Sequence, residues 1–151
     1  MDKIERSVAD LIGVWYLEEA FIVDEKGQRI GPAFGDNPAG YMAYMPDGMM
    51  MTVIADADQP DLSGDRFSSS LEERAAAFSS ASAYAGRYRF DGRKVTHSVE
   101  VCTFPNWVGT EVTRYVEFSG DTVIYRTEPQ PLNGTISIIR LVWARQASRQ
   151  T

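Results

Sequence analysis

His97 is the only histidine in the chain, and it lies in an alternating run, Val95-Thr96-His97-Ser98-Val99-Glu100-Val101. Strand side chains point alternately to two faces, so His97 is expected inside, on one face with Val95, Val99 and Val101. A buried imidazole needs a hydrogen-bond partner, and its ordinary charge change falls near neutral pH. Position alone fits a core histidine satisfied by a hydroxyl or carbonyl as well as it fits a functional one. Arg114 is what makes the functional alternative concrete. It alternates with Val112, Val116 and Phe118, and an arginine turned toward an apolar face is costly unless paired. Glu100, Glu111 or an acidic ligand could be the partner, since a carboxylate matches the guanidinium fork with two parallel hydrogen bonds. The competing arrangement is a strand that bulges or faces outward and leaves Arg114 in solvent.

Other side chains could complete a site around this pair. Tyr44 and Tyr88 could present hydroxyls to a pocket or serve as amphipathic core or rim residues. Met51 belongs to a methionine-rich hairpin with Met42, Met45, Met49 and Met50, and thioethers suit both irregular apolar ligands and ordinary core filling. Asn106 and Trp107 lie in Phe104-Pro105-Asn106-Trp107-Val108-Gly109-Thr110, where Trp107 could cap a barrel mouth and Asn106 could bind a ligand or its own turn. Glu100 has the opposite parity to His97 and reaches the interior only through a bulge. Several chemistries are excluded. One histidine and one cysteine cannot build an ordinary zinc site with nitrogen and sulfur ligands. There is no phosphate-binding glycine loop and no G-x-S-x-G elbow. Cys102 alternates with Ser98 and Glu100, away from the His97 face, which speaks against a Cys–His nucleophile pair. Haem ligation by His97 is conceivable but nothing singles it out, so neither a cofactor nor a metal is expected.

The elements that must position these groups are mostly strands. Ile4, Val8, Leu11 and Ile12 recur at helical spacing, predicting a short helix over residues 3–11 that stops at Gly13. Strand composition follows from Val14 to Val23, then over Gly40–Met45 and Met49–Ala55, with Asp47-Gly48 as a hairpin signal. Residues 56–70 read as a long loop. Ser70 and Glu73 form a capping-box pattern for a second short helix near residues 71–83. Strands at Gly86–Phe90, Lys94–Thr103, Thr110–Phe118, Thr122–Thr127 and Thr135–Arg145 complete a set of about nine, and residues 146–151 read as frayed. An up-and-down meander of this kind hides its edges by closing. The expected fold is therefore all-β, a closed antiparallel up-and-down barrel of about 8–10 strands in a single domain over residues 1–151.

Composition narrows the partners. A formal charge of −6 and a pI near 4.8 argue against nucleic acid. The mixed-charge start is not a signal peptide, and no apolar run approaches the roughly 18 residues of a membrane span. With a single cysteine the chain has no internal disulfide, which fits a reducing compartment. A cytoplasmic protein with a small-molecule ligand or substrate is expected, without nucleic acid or membrane, and a homodimer is left open.

A helix followed by Gly13-Val14-Trp15 resembles the lipocalin entry motif. The wider set resembles the lipocalin-like domain family of short bacterial and fungal proteins. It comprises Leu11-Ile12-Gly13-Val14-Trp15, Gly40-Tyr41-Met42-Ala43-Tyr44-Met45-Pro46-Asp47-Gly48, Tyr84-Ala85-Gly86-Arg87-Tyr88, Val95-Thr96-His97-Ser98-Val99-Glu100, Phe104-Pro105-Asn106-Trp107, Arg114-Tyr115 and Leu141-Val142-Trp143-Ala144-Arg145. Such sequences commonly carry a second histidine at position 98, where this chain has Ser98. The resemblance implies a calycin-type barrel with an internal pocket, and an arginine, either Arg140 or Arg145, packed over Trp15. Two functions follow as expectations. One is binding of a small amphipathic or hydrophobic molecule carrying a carbonyl or carboxylate, through His97, Arg114, Tyr44, Met51, Tyr88, Glu100, Asn106 and Trp107. The other is a metal-independent isomerase, cyclase or lyase acting on a carbonyl-containing, polyketide- or terpenoid-like metabolite, with His97 as acid/base and Arg114 stabilising an enolate. A filled barrel with a purely structural role is a third alternative.

Overall fold

Tight turns and alternating strands build one sheet that closes on itself. The structure, a computed structural model, describes residues 4–148. A single turn of helix, α1 (Val8–Leu11), leads into β1 (Gly13–Val23), β2 (Arg29–Pro32), β3 (Pro38–Tyr44) and β4 (Met49–Asp56). After α2 (Leu71–Ser79) come β5 (Ala81–Phe90), β6 (Lys94–Cys102), β7 (Glu111–Ser119), β8 (Thr122–Thr127), β9 (Gln130–Leu132) and β10 (Thr135–Arg145). Eight of these strands form a closed antiparallel barrel in the order β1-β3-β4-β5-β6-β7-β8-β10, sealed by β10 against β1, while the short β2 and β9 flank it. The two extra short strands bring the total to ten. Closure leaves no long open edge, which is the physical reason a meander of this length adopts it.

Antiparallel neighbours place successive links at opposite ends. One end carries the tight hairpins 45–48, 91–93 and 120–121, and the other carries the long connections 24–37, 57–80, 103–110 and 128–134. The tight turns follow their chemistry: the Asp91 carboxylate accepts N–H bonds from Arg93 and Lys94 at 2.8 and 2.7 Å, an aspartate-stabilised turn. That end is plugged. Trp15 is buried and its Nε1–H donates to the Leu11 carbonyl at 2.9 Å. The Arg145 guanidinium lies 4.3 Å from the centre of the Trp15 ring and donates to the carbonyls of Ile12, at 2.9 Å, and of Asp10. Register puts it there, since Trp15 is paired with Arg145, whereas Arg140 stacks on Phe21. Gly13 has φ +124°, and a Cβ on it would meet the Arg145 guanidinium at 3.2 Å, so the position favours glycine.

Four sequence expectations are corrected. Helix α1 is one turn, and Lys3 at its expected start lies outside the described residues. Helix α2 ends at Ser79 rather than Ala83, because Ala81 already pairs with Ala55 on β4. Pairing with β4 overrides the low strand preference of alanine. Its cap is the expected one, with Ser70 Oγ accepting from Glu73 N–H at 3.1 Å and the Glu73 carboxylate accepting from Ser70 N–H at 3.0 Å. Residues 146–148 form a 3-10 turn, and 149–151 lie outside the described residues. The fourth correction is on β6. Gly86 pairs with Val99 but Ala85 pairs with Val101, so Glu100 is an extra residue in a bulge and the side-chain parity reverses beyond it. Val95, His97 and Val99 are buried while Val101 is 68% exposed. The bulge draws β6 so close to Gly86 that a Cβ there would lie 1.9 Å from the Ser98 carbonyl oxygen.

Candidate functional site

The inward faces of β3, β5, β6 and β8 bring four hydrogen-bonding rings together. His97 is 1% exposed. Its Nε2 lies 2.7 Å from the Tyr44 hydroxyl and its Nδ1 lies 2.7 Å from the Tyr84 hydroxyl. Tyr44 continues the chain to Tyr125, with 2.8 Å between the two phenol oxygens. Each of these rings is buried. Burial, reinforced by the nearby Arg114 charge, pushes the His97 imidazole down to about 3, and burial pushes the phenols of Tyr44, Tyr84 and Tyr125 up. All four groups are neutral at pH 7 as a result, a fully paired polar chain in an apolar interior.

Beside this chain, toward the end with the long connections, is a cavity of about 170 Å³. Tyr84, His97 and Tyr125 border it, and Tyr44 does not. Met42, Ile54, Ile139 and Leu141 make its walls apolar, and Phe34, Trp107 and Gln130 reach it from the mouth connections. Pockets for drug-sized ligands begin at about 300 Å³, so this volume suits a compact molecule. A larger groove of about 840 Å³ between residues 4–6, the 91–93 hairpin and β7 lies at the plugged end and touches none of the four rings.

Two donor side chains, Arg114 and Trp143, border the cavity. Arg114, on the inward face of β7, borders the cavity and is half-buried. One of its nitrogens donates to the Thr113 carbonyl at 3.0 Å, and among the described residues no carboxylate pairs with it. The acidic partners expected from sequence are elsewhere: Glu111 is held by Arg89 at 2.8 Å and Glu100 faces Arg87 at 3.6 Å, both exposed on the outer surface. Trp143 also borders the cavity, is 1% exposed, and its indole N–H has no acceptor among the described residues. Buried donors are normally satisfied, so the Trp143 N–H points to a missing acceptor, while Arg114 brings a charge without a carboxylate partner to the same wall. Among the described residues no cluster of three or more His, Cys, Asp or Glu could hold a metal ion.

Of the residues singled out from sequence, the structure brings His97, Arg114, Tyr44 and Trp107 together. The Trp107 ring packs edge-on against Tyr84 at 5.8 Å between centroids. The others are corrected. Tyr88 donates to the Met45 carbonyl at 3.0 Å and buttresses the Tyr44 ring at 4.7 Å, so it supports the chain from outside the cavity. Met51 is 54% exposed on the outer face of β4, because only Met42 and Met50 of that hairpin point fully inward. Glu100 keeps its outward parity and is not brought in by the bulge, and Asn106 is exposed in the 3-10 turn Pro105–Trp107. Tyr84, Tyr125 and Trp143 were not anticipated. Alternation marked Tyr125, between Val123 and Thr127, and Trp143, two residues after Leu141. The alanines before Tyr84 carry helix composition, which masks the strand that holds it.

Two comparisons bear on this barrel. A family described as the lipocalin-like domain matches residues 12–146. A 4'-hydroxy-3'-methoxypropiophenone carrier protein of Aspergillus oryzae is 32% identical over 96 residues, covering 57% of this chain and 86% of that protein. No helix among the described residues is long and apolar enough to cross a membrane.

Proposed function

This chain belongs to the lipocalin-like domain family, and on that premise we propose that it binds a small amphipathic molecule inside its barrel, with a carbonyl or carboxylate oxygen held at the polar wall of the cavity. The observation that carries this reading is that one cavity is bordered both by the Trp143 N–H, which has no acceptor among the described residues, and by the Arg114 guanidinium, which has no carboxylate partner among them. A ligand oxygen would answer the Trp143 N–H, and a carboxylate would neutralise the guanidinium. The relative named as a carrier of an aromatic hydroxy-ketone supports an oxygenated ring compound as the kind of ligand. His97, held neutral down to about 3, is too weak a base at neutral pH to take a proton from a carbon acid efficiently. That favours binding over the isomerase or cyclase alternative. A cytoplasmic setting remains part of this reading.

Calorimetric titration with 4'-hydroxy-3'-methoxypropiophenone tests it. The wild type is expected to bind one equivalent, and Arg114→Met to bind at least about tenfold more weakly. Unchanged affinity in the variant would remove Arg114 from the site, and no binding of this probe or of its carboxylate analogue would refute the proposal.

A further inference from the structure

The chain Tyr84–His97–Tyr44–Tyr125 contains three phenol hydrogens and, with the imidazole neutral, one N–H. Its three internal bonds use three of these four hydrogens, so one is directed out of the chain. With the hydrogen on Nδ1, His97 donates to Tyr84, Tyr44 donates to Nε2, Tyr125 donates to Tyr44, and the Tyr84 hydroxyl is left to donate outward. With it on Nε2, every bond reverses and the Tyr125 hydroxyl is the free donor. Both arrangements have the same composition and charge. Tyr84 and Tyr125, the two ends, border the cavity, whereas Tyr44 in the middle does not. One end therefore offers the cavity a hydrogen while the other offers a lone pair.

We propose that His97 is a positioning residue whose tautomer decides which of these two phenols donates, and that the cavity takes a hydroxy-carbonyl compound. The carbonyl oxygen of such a compound accepts from the donating phenol, and its hydroxyl donates to the other. The ligand class rests on the binding reading above. The tautomer control does not, and it is tested without ligand.

The sole histidine makes the readout a single spin system in long-range proton–nitrogen NMR. Tyr84→Phe strips the acceptor from an Nδ1–H, so His97 is expected as the Nε2–H tautomer. Tyr125→Phe strips the acceptor from the Tyr44 hydroxyl in the Nε2–H arrangement, so His97 is expected as Nδ1–H. Each preference should be about tenfold or more, the effect of one buried unpaired donor. Should either variant fail to fold, Tyr44→Phe, which leaves Nε2 facing a ring edge, is expected to give Nδ1–H. The same tautomer in both end variants, an imidazolium in either, or Nε2–H in Tyr44→Phe would overturn the proposal. The ligand class is read from acetophenone against para-hydroxyacetophenone. The hydroxyl should improve wild-type affinity about tenfold and the end variants less than about twofold. Equal wild-type affinities overturn the ligand class alone, whereas no binding of either compound overturns the binding reading with it and leaves the tautomer results standing.

Discussion

Burial of His97 makes the stability of the barrel depend on pH in a calculable way. The unfolded imidazole takes up a proton below its ordinary 6.5, whereas in the folded protein burial first, and then Arg114, hold it neutral down to about 3. Between these values the unfolded state binds more protons, so stability falls as the solution is acidified. The slope approaches about 1.4 kcal/mol per pH unit. Integrated from pH 7 to about pH 4.5, the loss attributable to this one residue is about 2–3 kcal/mol. Carboxylates that hydrogen bonds hold low, such as Glu73, Asp65 and Asp91, also lose stability in acid, so wild type must be compared with His97→Gln, which retains them. Urea unfolding followed by tryptophan fluorescence at a series of pH values provides the assay. The difference in unfolding free energy between the two proteins should shift by about 2–3 kcal/mol against the wild type across that window. Parallel pH profiles would refute the reasoning, because they would mean that the folded imidazole accepts a proton near its ordinary value.

Three further outcomes follow from the packing. Arg145→Met removes the ring contact on Trp15 and two hydrogen bonds to the α1 segment and should cost about 2–4 kcal/mol, read as a lower urea midpoint. Gly86→Ala places a methyl against the Ser98 carbonyl; it should destabilise by about 3 kcal/mol or more, and a change under about 1 kcal/mol would mean that the bulge yields. Glu73 accepts hydrogen bonds from the backbone and hydroxyl of both Ser63 and Ser70, so Glu73→Gln should speed limited proteolysis within residues 57–80 while leaving the barrel intact.

Much of this architecture is legible along the chain because local chemistry and global fold agree. Asp47-Gly48 and Asp91-Gly92 turn the chain, alternation sets the inward faces of β6 and β7, and Gly13-Val14-Trp15 starts the plug. Alternation offers an inward Arg114 but leaves an outward-facing or bulged strand open, and the structure selects the inward one. The misreadings have specific causes. Alanines around 81–85 carry little strand signal, and only pairing with β4 and β6 makes them a strand, which is also what delivers Tyr84 to His97. The Glu100 bulge depends on the close approach of Gly86 across the sheet, so no pattern within β6 reveals that Val101 faces out. Choosing Arg145 over Arg140 required the β1–β10 register. The β5–β6 hairpin brings Tyr84, 13 residues away, to His97, whereas Tyr44, 53 residues away on β3, reaches it only because the sheet curls round the interior.

The most direct measurement of the central claim is a titration with para-hydroxyacetophenone followed at the indole N–H resonances of the three tryptophans. Trp107 and Trp143 border the cavity, and Trp15 is tied to Leu11 at the plugged end. Saturable shifts at Trp143 and Trp107, with Trp15 unmoved, are predicted. Shifts confined to Trp15, or none at any indole up to saturation of the ligand, would contradict a binding site inside the barrel.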